Sequence, residues 1–272
     1  MEPFQLKSET RLHLSSLEEE IPGLVAGFTT KNGGVSEGAY KQLNMGLHVL
    51  DDENKVLENR RILSKELNIP LNRWVCGEQV HGTSIHFAGK EDAGKGSISF
   101  DSGISGVDGL IINEADSLLG TAFFADCVPL FFADSTTRIA GIAHAGWKGT
   151  VGQIAREMVQ KLKEAGASIE NLKVVIGPSI SKENYVVDDV VLSHLTDEQK
   201  QKFTKEISPN QYFIDLKELN VDILVQSGVF RHNIEVTKYC TLQDEKLFFS
   251  HRRDNGKTGR MLAFIGFEKQ KK

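Results

Sequence analysis

The stretch Ala125-Asp126-Cys127-Val128-Pro129-Leu130-Phe131-Phe132, with Ala143-His144-Ala145-Gly146-Trp147-Lys148-Gly149-Thr150 after it, reads as one β-hairpin that carries a thiol and an imidazole at its open end. Strands at 130–134 and 137–143, joined by a two-residue turn at Ser135-Thr136, place Asp134 opposite Thr137, and the same register sets Cys127 opposite His144. Directly opposed Cβ atoms lie ~4.5–5.5 Å apart and zinc takes sulfur and nitrogen at roughly 2.0–2.3 Å, so one ion spans such a pair. Pro129 weakens this register, because proline has no N–H for a ladder and belongs at an edge or a strand start.

Working outward, residues 24–30 form an apolar, β-rich run that feeds the glycine-rich segment Lys31-Asn32-Gly33-Gly34-Val35-Ser36-Glu37-Gly38. Asp51 or Asp52 caps a helix carrying Val56, Leu57, Arg60, Ile62, Leu63 and Leu67, and Asn68-Ile69-Pro70 stops it. Short strand-like runs follow at 74–76, 84–87, 109–112, 119–124, 130–133 and 139–143. A helix is expected at 151–165 with Gly166 as its stop, then a buried strand at 174–176, a helix at 216–227 and a last strand at 262–267. The strand-rich middle has no helix after each strand, which argues against a purely parallel doubly wound sheet. The expected fold is α/β with α+β character, a single layered domain over residues 1–272 with mixed β-sheets and flanking helices.

The chain has 272 residues, 40% of them hydrophobic, enough for a sizeable core. A formal net charge of −5 speaks against a nucleic-acid surface, which needs basic groups to replace counterions. The terminal Lys269-Gln270-Lys271-Lys272 is too short to change that and reads as a solvated end. The start, Met1-Glu2-Pro3-Phe4-Gln5-Leu6-Lys7, lacks the apolar centre of a signal peptide, and no stretch has the apolar length of a membrane span. A cytoplasmic protein with no membrane or protein partner in evidence is expected. Cys76, Cys127 and Cys240 are odd in number and widely spaced, which leaves thiols free for a metal or for catalysis.

Several motif matches fail on context. Gly34-Val35-Ser36-Glu37-Gly38 fits the nucleophile-elbow pattern but does not emerge directly from a strand, and no clear helix starts after it. The run from Gly141 to Lys148 resembles a phosphate loop, yet Trp147 stands where the lysine belongs. No His-Glu-x-x-His helix or Cys-x-x-Cys knuckle is present, so a metal site has to gather distant ligands. A multicopper oxidase needs many more imidazoles than the eight histidines here supply. The third ligand candidate is His81, in Gln79-Val80-His81-Gly82. As at His144-Ala145-Gly146, a small neighbour leaves room beside the imidazole, and Asp126 next to Cys127 is a candidate outer-shell or proton-transfer carboxylate.

Taken together, several motifs give the chain a resemblance to the YfiH/YlmD family, long labelled laccase-domain or polyphenol oxidase. They are Thr29-Thr30-Lys31-Asn32-Gly33-Gly34-Val35-Ser36-Glu37-Gly38-Ala39-Tyr40, Leu43-Asn44-Met45-Gly46-Leu47-His48-Val49, Asn59-Arg60, Gln79-Val80-His81-Gly82, Val107-Asp108-Gly109-Leu110, Ala125-Asp126-Cys127-Val128-Pro129 and His144-Ala145-Gly146-Trp147-Lys148-Gly149. Gly177-Pro178, Ser250-His251-Arg252-Arg253-Asp254 and Thr258-Gly259-Arg260 extend the likeness over nearly the whole chain. The resemblance implies a zinc site of His81, Cys127 and His144. It also implies purine nucleoside chemistry: phosphorolysis of inosine, guanosine, adenosine and methylthioadenosine, with adenosine deamination at the same site. Lys31 and Lys148 stand where relatives often carry arginine, which keeps the charge without the planar fork.

On that reading, a zinc with three protein ligands and an open position activates water or polarises a substrate oxygen, with Asp126 or Glu78 carrying the proton. Phosphorolysis also needs an anion clamp, for which Arg60 leads, with Lys148 ahead of a helix start and Ser36 on ribose or phosphate. Arg252, Arg253 and Arg260 form either a second basic cluster or a solvated face. Two other readings use the same residues. A metal-free hydrolase of the amidase kind would use Cys127 and His144 without needing His81. A zinc-stabilised interaction module would close the site with a fourth ligand from Cys76, Cys240 or His48.

Overall fold

The computed structural model describes residues 2–268, so the expectation for Lys269-Gln270-Lys271-Lys272 lies outside the described residues. In chain order the strands are β1 (Phe4–Leu6), β2 (Arg11–Leu14), β3 (Leu24–Thr29), β4 (Trp74–Cys76), β5 (Ile85–Phe87), β6 (Gly109–Asn113), β7 (Leu119–Phe124), β8 (Val128–Asp134), β9 (Ile139–Ala145), β10 (Leu172–Ile176), β11 (Val186–Val187), β12 (Thr204–Ser208), β13 (Gln211–Ile214), β14 (Ile234–Val236) and β15 (Met261–Phe267). The helices are α1 (Ser15–Glu20), α2 (Glu53–Leu67), α3 (Trp147–Val151), α4 (Ile154–Glu164), α5 (Asp189–Leu192), α6 (Asp197–Phe203) and α7 (Leu216–Gln226). No described helix is long and apolar enough to cross a membrane.

Two mixed six-stranded sheets, ordered β1-β2-β3-β15-β7-β4 and β14-β10-β8-β9-β6-β5, pack face to face, and a small third sheet, β11-β13-β12, joins the core of the second through Val187 and Ile214. The layering follows from strands that are apolar on both faces. Along β8, Phe131 and Ala133 enter the core between the sheets, where Phe28, Phe124, Ala263 and Ile265 meet them. Leu130 and Phe132 point the other way, onto Met158 and Leu162 of α4 and Leu219 and Ile223 of α7. On the outer face of the first sheet, Leu63 and Leu67 of α2 cover Trp74, Leu119, Phe123, Leu262 and Phe264. Each such large apolar side chain contributes roughly 1.5–3 kcal/mol on burial. The result is helix, sheet, sheet, helix: the expected mixed α/β class.

The hairpin exists, but its register differs from the expectation. Asp134 pairs with Ile139 and Pro129 with His144, so the connection runs from Ser135 to Arg138 and Cys127 falls just beyond the ladder. Asp134 caps this longer turn, accepting from Thr136 N at 2.8 Å and Thr137 Oγ1 at 2.9 Å, and Arg138 closes it at φ 58°. Pro129 is harmless in this register. His144 donates its N–H to Asp108 O on the β6 side, at 2.7 Å, which makes Pro129–His144 a non-hydrogen-bonded pair with no place for a proline N–H between β8 and β9.

The expected helix at 151–165 is two helices. Gln153 at φ 71° breaks it, and α3 begins earlier, at Trp147. The α2 ends match their signals: Asp52 accepts from Asn54 N at 2.9 Å, and Asn68 closes the helix in the left-handed region at φ 53°.

Candidate metal centre

Three chain segments meet where β8 and β9 leave the sandwich. Asp126, at φ 87°, turns the chain between β7 and β8 and presents Cys127 beside the end of β9, which carries His144. His81 comes from the loop after β4 and is itself left-handed, at φ 60°. Such a conformation costs a non-glycine residue about 1–3 kcal/mol and persists only where its surroundings impose it. Here Asp108 fixes it, accepting from the N–H groups of Val80 at 3.2 Å, His81 at 3.0 Å and Gly82 at 2.7 Å.

The same carboxylate accepts from His144 Nδ1 at 2.8 Å. A carboxylate can only accept here, so Nδ1 carries the proton and Nε2 is left free to ligate. The ligand atoms of His81, Cys127 and His144 all lie within 4.8 Å of one another, with Cys127 Sγ 3.9 Å from His81 Nε2 and the two imidazole centroids 4.7 Å apart. Two borderline nitrogens and a thiolate sulfur suit zinc, and the residue next to them is shaped for an ion. A Cβ on Gly146 would stand 2.9 Å from His81 Cδ2 and 3.1 Å from Cys127 Sγ, filling the space the three donors face.

Electrostatics prepare the thiol for a cation. Burial pushes the Cys127 thiol up, but the His144 charge and hydrogen bonds from His144 and His81 outweigh it and pull it well below its usual range. Burial pulls His144 down, yet the Cys127 sulfur and the Asp108 carboxylate hold its pKa well above the ordinary imidazole value. Without a metal, each of the two groups favours the charged form of the other.

The trio opens on a cavity of about 600 Å³ that Glu78, Asp126, Lys148, Arg252 and Arg260 also line. The sequence-derived site therefore divides. His81, Cys127, His144 and Lys148 come together around the cavity, while Ser36 and Arg60 do not line it. Arg60 is 1% exposed, and its guanidinium donates to Met45 O at 2.9 Å and to Gly96 O and Ser97 O at 2.7 Å each, so it has no face for phosphate. Ser36 is 3% exposed, and its Oγ accepts from Asn59 Nδ2 at 2.9 Å. The glycine-rich loop packs directly on α2: a Cβ at Gly34 would sit 2.6 Å from Asn59 Oδ1.

Asp126 lines the cavity, but both its oxygens are engaged, one by Thr241 Oγ1 at 2.7 Å, the other by Ser250 Oγ at 3.0 Å and Arg252 N at 2.7 Å. That fits an anchor for the 241–252 loop better than a proton carrier. Arg253 likewise turns inward, to the carbonyls of Thr241, Leu242 and Phe248.

A closed four-ligand site is not formed among the described residues. Cys76 is buried against Thr121 Oγ1 at 3.0 Å, Cys240 accepts from Ser181 N at 3.3 Å, and His48 lines the cavity outside the ligand trio. Residue-by-residue reading missed Asp108, although β6–β9 pairing places it opposite His144. A carboxylate paired with a candidate ligand on the neighbouring strand was the available signal.

The family described as multi-copper polyphenol oxidoreductase laccase matches residues 25–268. The chain is 48% identical over 270 residues to the purine nucleoside phosphorylase YlmD of Geobacillus stearothermophilus, covering 97% of each. It is 41% identical over 275 residues to the purine nucleoside phosphorylase YlmD of Bacillus subtilis, covering 98% of each. The crystal structure of YlmD from Geobacillus stearothermophilus superposes with a TM-score of 0.93 at 43% identity, over 99% of this chain and 100% of that one. That of the Bacillus licheniformis hypothetical protein YfiH gives 0.93 at 40% identity, over 98% and 99%. One His-Cys-His cluster is all the described residues offer a metal, far from the ligand count a multicopper centre needs. On fold and sequence, the chain belongs to the YfiH/YlmD family.

Proposed function

We propose that the chain is a zinc-dependent purine nucleoside phosphorylase, a single catalytic domain over residues 1–272 working in the cytoplasm. It takes inosine, guanosine, adenosine or methylthioadenosine with inorganic phosphate to the free base and the ribose 1-phosphate (the methylthio-ribose phosphate for the last), and it deaminates adenosine at the same site. The observation that carries this reading is the convergence of His81, Cys127 and His144 on a cavity that also holds Lys148, Arg252 and Arg260. Held by His81, Cys127 and His144, zinc would supply a Lewis acid to the site.

In phosphorolysis a phosphate oxygen bonds to the ribose anomeric carbon as the glycosidic C–N bond breaks, its electron pair going to the base, which takes up a proton. The cavity cations hold the phosphate and offset its charge as it attacks. We assign the proton transfer to Glu78, which lines the cavity and accepts from Ser105 Oγ at 2.7 Å. Asp108 keeps His144 and the His81 loop in place throughout.

The test is chromatography of inosine and adenosine incubated with purified protein, with and without phosphate, alongside metal analysis. Hypoxanthine release that requires phosphate supports the reading; its absence in zinc-loaded protein contradicts it. One observation favours a second reading: a cysteine beside a histidine that Asp108 orients is also the arrangement of a cysteine hydrolase. Activity that survives complete chelation of metal would select that alternative.

A further inference from the structure

The cavity has two unlike walls. Trp147 and Tyr185 belong to its helical side, packed against the core of α4 and α7, and Phe123 belongs to the α2 core of the other sheet. On the helical side both aromatic faces are already covered by cations: Arg252 Cζ lies 5.2 Å from the Tyr185 ring centre and Lys148 Nζ 5.7 Å from that of Trp147. On the α2 side, His48 stands 5.9 Å from Phe100 and 5.7 Å from Phe123, centroid to centroid, and all three line the cavity. Phe100 is 38% exposed, a large apolar ring left open beside the cavity.

Beneath this wall lies Arg60. Its three carbonyl partners belong to Met45, three residues before His48, and to Gly96 and Ser97, just before Phe100, while its Cζ sits 4.9 Å over the Phe123 ring. One buried cation thus ties down all three segments that carry the rings. Desolvation, with the positive charges of Arg260 and Arg60, holds His48 down at about 4, so the ring is neutral even though the cavity leaves it reachable by solvent.

We propose that Phe100 and His48, above a floor formed by the buried Phe123 ring, form a slot that holds the purine base, with Arg60 as the positioning residue behind them and the Lys148–Arg252 wall left to phosphate. The proposal rests on the nucleoside reading above. A purine has flat apolar faces that gain from open aromatic rings, whereas phosphate gains only from cations.

The experiment uses the full-length zinc-loaded protein as wild type, Phe100→Ala, His48→Ala and Arg60→Lys. It measures hypoxanthine binding by calorimetry without phosphate, the KM values for inosine and for phosphate, and zinc content. Phe100→Ala and His48→Ala should each weaken hypoxanthine binding and raise the inosine KM roughly tenfold, with phosphate KM and zinc content unchanged. Arg60→Lys keeps the charge but cannot reach three carbonyls at once, and should shift the inosine KM in the same direction with a smaller change in kcat. Phe100 is partly exposed, so its variant keeps the test valid even if Arg60→Lys does not fold. Unchanged hypoxanthine affinity in both ring variants, or a shift confined to phosphate KM, would overturn the slot. Wild type that binds hypoxanthine through Phe100 but does not phosphorolyse inosine would sustain the slot and sink the phosphorylase reading. Wild type that phosphorolyses inosine, with Phe100→Ala and His48→Ala both indistinguishable from it, would do the reverse.

Discussion

Arg60 on α2 and Arg252 on the 241–252 loop carry the same guanidinium, yet one serves the fold and the other faces the cavity. Arg60 is enclosed and gives its hydrogens to three carbonyls. Arg252 spends one on Val186 O at 2.8 Å, lies against Tyr185 and opens on the space beside Cys127. The difference teaches that charge type alone does not make an anion site. A cation that is enclosed and already bound to protein carbonyls has little left for a ligand, however well its sequence neighbours resemble a binding motif.

The comparison breaks most visibly on removing each arginine. Arg60→Met leaves the Met45, Gly96 and Ser97 carbonyls short of a donor in a buried place, and should cost on the order of 3–5 kcal/mol in urea unfolding. Arg252→Ala should stay within about 1 kcal/mol of wild type in the same assay but raise the phosphate KM roughly tenfold. The opposite pattern would reverse the assignment of the two residues.

Next in size is Asp108→Asn, which cannot accept from both His144 Nδ1 and the backbone N–H groups around His81. Zinc affinity, read by chelator competition, should fall roughly 10- to 100-fold while the fold persists. An unchanged affinity would mean that the Asp108 contacts do not orient the ligands.

A smaller effect tests the scaffold under the aromatic wall through pH. Burial works to raise the Asp92 carboxyl, but hydrogen bonds from Lys95, His86 and the Gly89 N–H overcome it and pull it down to about 2. The folded pKa lies below the ordinary value of 3.8, so the stabilisation is full above pH 3.8 and is lost as pH falls toward 2. Between those pH values wild type should lose on the order of 1–2 kcal/mol more than Asp92→Asn, a figure discounted because Lys95 and His86 face solvent. Smallest of all, Ser36→Ala should cost about 1 kcal/mol of stability and leave both KM values unchanged, since its hydroxyl holds Asn59 and not a substrate.

Much of this contrast was written in the chain. The strands from β6 to β10 carry apolar side chains to both faces, and their runs marked a layered domain with mixed sheets. Arg60 shares one helix stripe with Val56, Leu63 and Leu67, so its burial was readable from spacing alone, against the clamp role its charge suggested. The hairpin register was not readable, because Arg138 adopts a left-handed turn conformation that usually calls for glycine or asparagine. Asp108 was legible only through strand pairing: the β6–β9 register sets it opposite His144, and no local motif does. The sheet of β11, β12 and β13 escaped notice because its strands are short, partly exposed and mixed in polarity. Cys127, His144 and His81 stood out because few side chains hold a soft or borderline metal, and the fold brings those three to one place.

The central claim is that this trio holds zinc for nucleoside chemistry, and the most direct test is to measure zinc content and phosphate-dependent hypoxanthine release on wild type and Cys127→Ala side by side. The account requires stoichiometric zinc and turnover in wild type, and loss of both in the variant with its fold intact. A zinc-free wild type at full activity, or an active Cys127→Ala protein, would contradict it.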